Sequence, residues 1–178
     1  AAYTGGKYQL AEQRVAKALV IVSRVLDKTN PVRADVLSLQ GSIYQAEGKL
    51  GPADTALAEA IDAYRAVYKG PHYNIGFAEF YRAQVAEQRG NLSDAIRHLD
   101  EAQINYEASY GKKHANIGEV LVTRAGLLNR TGHHARAVAE CDAGISMLNE
   151  TMGGDSGFTK GLKTTCDAIG KKGVNAAN

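Results

Sequence analysis

Lys69-Gly-Pro-His-Tyr-Asn-Ile-Gly76 returns 42 residues later as Gly111-Lys-Lys-His-Ala-Asn-Ile-Gly118, and Asp27-Lys-Thr-Asn-Pro-Val-Arg-Ala34 holds the same register one period earlier. A fixed period of this length marks a repeat array and changes how every other residue is read. Working outward, Gly6, Gly48, Gly90 and Gly132 share one register. Ala11, Ala53, Ala95 and Ala137 follow, then Ala18, Ala60, Ala102 and Gly144, and Leu26, Tyr68, Tyr110 and Met152 close each period. One recurring glycine would be chance; small residues recurring at several spacings form a lattice.

Each period reads as two amphipathic helices. In the second of each pair, Ala11, Val15, Ala18, Leu19, Val22 and Leu26 fall at three- and four-residue steps, which places them on one stripe. Ala53, Leu57, Ala60, Ile61, Tyr64 and Tyr68 repeat that stripe, and so do Ala95, Leu99, Ala102, Tyr106 and Tyr110. The first helices carry Leu37, Gly41, Ile43 and Tyr44, then Phe80, Ala83, Val85 and Ala86, then Leu121, Ala125, Leu127 and Leu128. No stretch alternates with period two for long enough to form a strand. Gly48, Gly90 and Gly132 stand where a first helix must stop, Pro31 and Pro52 where a helix begins, and Asn91 where one is capped. Close helix crossing requires small side chains, so Gly41, Ala83 and Ala125 are expected to face Ala53, Ala95 and Ala137 across each hairpin.

Composition narrows the function classes. The 178 residues are 44% hydrophobic and 22% charged, which excludes a disordered or collagenous chain and supplies enough apolar surface for a core. The longest apolar run, Ala18-Leu-Val-Ile-Val22, is far shorter than the roughly 20 residues needed to span a bilayer, so no membrane span is expected. Lys and Arg total 21 against 19 Asp and Glu, interspersed, so the one-sided field that draws nucleic acid is missing and no nucleic-acid partner is expected.

The small-residue lattice resembles the tetratricopeptide repeat (TPR) family, and the 42-residue period with its Asn-Pro or His-containing links (Thr29-Asn-Pro31, Gly70-Pro-His72, Lys113-His114) looks most like the variant found in kinesin light chains and many bacterial proteins. The resemblance covers the chain from Gly6 to about Gly173. It implies an all-α solenoid of antiparallel helix pairs in a right-handed superhelix, about four repeats and a C-terminal capping helix in a single domain over residues 1–178. The expected pieces are the second helix of a first repeat at 6–28, repeats at 30–69, 73–111 and 115–152, and a cap at 157–172. Residues 1–5 align with the last turn of a first helix, and Phe158 to Lys171 with the first helix of a fifth copy made more polar by Lys160, Lys163 and Lys171.

The resemblance further implies a non-catalytic interaction module in which first helices line a concave groove that binds an extended peptide or partner segment. Carried over position by position, the groove is lined by Ser38, Ser42 and Gln45, then Phe77, Phe80, Tyr81, Gln84 and Gln88, then Val122, Thr123, Asn129 and Arg130. Phe77, Phe80 and Tyr81 put three aromatics within five residues; an exposed one would anchor a partner side chain, whereas buried ones fill the gap between hairpins. A structural or scaffolding role is the alternative, with self-association through apolar positions of the first helix such as Val15, Leu19 and Val22.

Chemistry-bearing constellations are sparse. No Gly-rich loop follows a strand, no Ser, His and acid share a useful spacing, and no cofactor or metal site is expected. His72 and His114 read as link residues; His133, His134 and Cys141 share too little geometry to close a zinc site. Cys141 and Cys166 fall on helices that should be neighbours. Two buried thiols in a cytoplasmic protein are the default, with a disulfide between them if the chain is exported, a setting with which Ala1-Ala2 at a processed terminus would agree.

Overall fold

The computed structural model describes residues 2–175, and every regular element among them is a helix. In order these are α1 (Ala2–Val25), α2 (Pro31–Ala46), α3 (Leu50–Val67), α4 (Tyr73–Gln88), α5 (Leu92–Tyr110), α6 (Ala115–Arg130), α7 (His134–Met152) and α8 (Gly157–Asn175). The local signals explain the boundaries. Pro31 opens α2 at a position whose N–H is an orphan in any helix, and the Asn30 side chain accepts from the Val32 N–H at 3.0 Å. At the other end of α2 the Gly48 and Lys49 N–H groups donate to the Gln45 and Tyr44 carbonyls at 3.0 and 2.8 Å, a Schellman closure that needs the positive φ of 75° held by Gly48. The same closure ends α6, where Gly132 and His133 donate to Asn129 and Leu128.

The chain forms two compact units, Ala1–Asn105 and Tyr106–Asn178, with the boundary inside α5. In the first, α2 lies against α3 and also alongside α4, while α1 packs on α2. Ala34, Leu37, Ala53, Leu57, Ala60, Ile61, Tyr64, Ile75 and Val85 form its core. The small-residue lattice acts where two backbones meet: a Cβ added to Gly41 would stand 2.5 Å from Leu57 Cγ and 3.2 Å from the Ala53 carbonyl oxygen. In the second unit α6 lies against both α7 and α8. A Cβ on Gly144 there would stand 2.8 Å from the Gly118 carbonyl oxygen, and one on Gly118 would stand 3.0 Å from that of Gly144. Small residues at this crossing are therefore a condition of the fold, since any larger side chain must push backbone apart.

Polar pairs buried inside the hairpins add to the lattice. Glu79 on α4 and His98 on α5 meet at 2.6 Å, both almost fully buried, and Arg65 reaches the second Glu79 oxygen at 3.3 Å. In the second unit Arg124 on α6 meets Glu140 on α7 at 2.7 Å. His98 and Glu140 sit at one register, 42 residues apart, so in each unit the second helix uses that position to grip the first helix of its own hairpin.

Two expectations are corrected. The sequence reading ends one helix at residue 5 and begins another at 6, but α1 runs unbroken through Gly5 and Gly6. Glycine permits the left-handed turn seen at Gly48 without imposing it, and no described helix packs in front of α1 to reward a reversal. The default of two free thiols also fails: Cys141 on α7 and Cys166 on α8 are joined by a disulfide, their Cα atoms 5.5 Å apart.

Candidate protein-interaction face

In the first unit α2 and α4 run side by side and present their outer faces together. Helical geometry decides which of the sequence-selected residues reach the surface. Ser38, Gln45 and Phe80 are buried, so they shape this face from beneath. Ser42, Phe77, Tyr81 and Gln84 are half-buried and Gln88 is exposed. Leu39 on α2 adds an exposed aliphatic side chain. Phe77 and Tyr81 are one helical turn apart, their ring centroids 4.7 Å apart and tilted, while Phe80 meets the Tyr81 ring edge-on at 5.9 Å. The buried Phe80 thus fixes the orientation of Tyr81, leaving a rigid aromatic ledge flanked by the Gln84 and Gln88 amides.

The ledge rests on a polar brace. Tyr64 on α3 donates its hydroxyl to Asp35 on α2 at 2.7 Å, and the Asn74 amide on α4 donates to the same carboxylate oxygen at 3.0 Å. Burial, with the Asp35 carboxylate beside it, pushes the Tyr64 phenol well above its ordinary range, so it stays a donor at any physiological pH. On the far side Asp54 takes Arg82 and Arg89, each at 3.0 Å; burial alone would raise this carboxyl, but the two guanidiniums outweigh it and hold it below its ordinary value. Three helices are clamped together, and the aromatic ledge is held by their backbones.

In the second unit Val122 is fully buried, Thr123 and Asn129 are half-buried and Arg130 is exposed on α6. Asn129 Oδ1 lies 2.9 Å from His134 Nδ1, so this amide ties α6 to the start of α7. Glu119, half-buried on the same helix, is pushed by burial to a pKa of about 7. Among the described residues no three His, Cys, Asp or Glu side chains gather as metal ligands, and no helix is long and apolar enough to cross a membrane.

Sequence reasoning missed the purpose of the link histidines. His72 and His114 are N-caps: each Nδ1 accepts from the N–H two residues on, Asn74 at 3.3 Å and Asn116 at 3.2 Å. Each ring also stacks on a tyrosine four residues back, Tyr68 at 3.7 Å and Tyr110 at 4.0 Å. A Tyr-x-x-x-His spacing that recurs at the repeat period was the available signal. Burial lowers the pKa of His72, consistent with a neutral ring offering its lone pair.

No family model matches the chain, and no curated protein matches it. Solved structures do. A variant of a candidate kinesin light chain from Podosopora anserina with nearly identical TPR-like repeats superposes with a TM-score of 0.77 at 13% identity, covering 97% of this chain and 81% of that one. A second structure of a Podosopora anserina candidate kinesin light chain with nearly identical TPR-like repeats gives 0.69 at 15% identity, covering 95% and 90%. At such identities the likeness is one of fold: this chain has the TPR-like repeat fold, an all-α arrangement of helix pairs.

Proposed function

We propose that the chain, residues 1–178 acting as one domain, is a non-catalytic protein-interaction module, and that the face made by α2 and α4 binds an extended segment of a partner protein. The half-exposed Phe77 and Tyr81 pair carries this reading, because oriented aromatics over a braced backbone supply contact area at little cost in side-chain entropy. Gln84 and Gln88 offer amides for the partner's backbone, and Leu39 and Ser42 extend the face along α2. On α6, Thr123, Asn129 and Arg130 offer a separate polar set suited to a partner's amides and carboxylates.

The test is selection of a displayed peptide library on the full chain, followed by affinity measurements on the winners. Phe77→Ala with Tyr81→Ala should weaken them roughly tenfold or more while helical content survives. Peptides that bind equally well to this variant would remove the face from consideration. Phe80→Ala is a poor substitute as a test, because a buried ring lost from the core costs about 3–5 kcal/mol of stability.

A further inference from the structure

We propose that Glu119 of α6 and Phe158 of α8 form a receptor for an arginine side chain of a partner protein. The proposal rests on the reading of the chain as an interaction module and adds a site in its second unit.

Glu119 stands two repeat periods after Asp35. In the first unit that carboxylate is put to use inside the fold: its Oδ1 accepts from the Tyr64 hydroxyl at 2.7 Å and from the Asn74 amide at 3.0 Å. Two periods on, the registers of those donors hold Leu148 and Phe158, whose side chains have no hydrogen to give. Contacts within the second unit confirm the alignment. A Cβ on Gly118 would stand 2.8 Å from Leu148 Cγ, so Leu148 lies against α6 at this level. Ser156 caps α8, accepting from the Thr159 N–H at 3.0 Å, one period after His114 caps α6. A Cβ on Gly126 would stand 3.8 Å from Thr165 Cγ2, and this approach of α6 to α8 spans the same 39 positions as the Asn74 bond to Asp35.

Glu119 is therefore a half-buried carboxylate that has lost both of its internal donors. Among the described residues it makes no hydrogen bond and no ion pair. The nearby lysines of α8 are engaged elsewhere, Lys160 with Asp155 at 3.2 Å and Lys163 with Asp167 at 2.8 Å. Burial acts on Glu119 unopposed and lifts its pKa to about 7. Holding an unpaired acid in this setting costs stability. The repeat pattern does not demand it either, since the middle repeat carries Phe77 at the same register. An acid kept at such a cost points to a use outside the fold, in which an incoming cation supplies the bonds that Tyr64 and Asn74 give to Asp35.

Phe158 selects the cation. It is 41% exposed and occupies the register from which Asn74 reaches Asp35, so its ring is open to a group held by Glu119. A guanidinium suits the pair, because its planar fork meets a carboxylate edge-on while its face lies on an aromatic ring.

The probe is N-acetyl-arginine methylamide, titrated into the full chain at pH 8, where Glu119 is ionised, and followed by the ring resonances of Phe158. Saturable binding in the millimolar range is expected, and the citrulline analogue, similar in shape and uncharged, should not bind. Glu119→Gln should abolish binding while circular dichroism shows the helices intact. Phe158→Leu, followed by the carboxyl carbon resonance of Glu119, should weaken binding roughly threefold. Phe77→Ala with Tyr81→Ala should leave it unchanged. The proposal is overturned by absence of saturation, by equal binding of citrulline, or by unaltered binding to the Glu119→Gln protein. Library peptides that depend on Phe77 and Tyr81 while the arginine probe fails would remove this receptor and keep the α2–α4 face. An arginine probe that binds while the peptides ignore Phe77 and Tyr81 would remove that face and keep the receptor.

Discussion

α1 and α8 are helices of the same repeat left without a complete hairpin among the described residues, and they meet that situation in opposite ways. α1 keeps the apolar stripe of a second helix, on which Ala11, Ala18 and Leu19 stay half-buried where Ala53, Ala60 and Ile61 of α3 are buried. α8 keeps the register of a first helix but replaces its close-contact residues, so that Lys160 and Asp167 stand where α6 has Gly118 and Ala125. Those charges pair among themselves and their surroundings, Lys163 with Asp167 at 2.8 Å and Lys160 with Asp155 at 3.2 Å. Its other face is fastened down by buried Thr159 and Ile169 and by the disulfide from Cys166 to Cys141. The difference teaches that substitution at two or three close-contact positions is enough to change how a helix of one repeat pattern meets its surroundings.

The largest effect expected concerns the fastened end. The disulfide closes a loop with a sequence separation of 25, and its reduction should lower the unfolding free energy by about 3 kcal/mol in a urea titration with and without reductant. An unchanged midpoint would mean that α8 is held by packing alone, and the contrast with α1 would lose its main support.

A smaller effect tests whether the α6 surface is buried as described. The folded pKa of Glu119, about 7, lies above the ordinary value of 4.5, so the folded state holds this proton more tightly than the unfolded one. Its contribution is complete below about pH 4.5 and is lost as pH rises through 7. Glu119→Gln should therefore stabilise the protein by about 2 kcal/mol at pH 8 and by almost nothing at pH 4, read from melting temperatures across that range. Parallel curves for the two proteins would show Glu119 to be well solvated.

The smallest effect is expected at the open end. Ile21 is 63% exposed, and Ile21→Ser should change stability by no more than about 0.5 kcal/mol. Ile169→Ala, at a residue 3% exposed on α8, should cost about 2–5 kcal/mol. Equal costs would erase the distinction between the two helices.

Much of the fold was legible because helix periodicity and the small-residue lattice are both one-dimensional signals: Gly41, Ala53 and Gly144 occupy close crossings because nothing larger fits. Less of the candidate site was legible. Phe77, Phe80 and Tyr81 are equally aromatic in the sequence, and only the rotation of α4 about its axis buries Phe80 and leaves the other two at the surface. The expectation that Val15 is an exposed contact point on α1 fails for the same reason; it is buried, and Val20 and Ile21 face outward instead. The pairs Glu79 with His98 and Arg124 with Glu140 were invisible because each joins residues of different helices, and only the second-helix member keeps its register while its chemistry and its partner's register change.

The central claim is that the second helix of a hairpin is sealed by a first helix and that α1 has this surface open. Amide hydrogen exchange on the full chain, resolved by helix, measures it directly. The account predicts that α1 exchanges far faster than α3. Protection of α1 equal to that of α3 would contradict it.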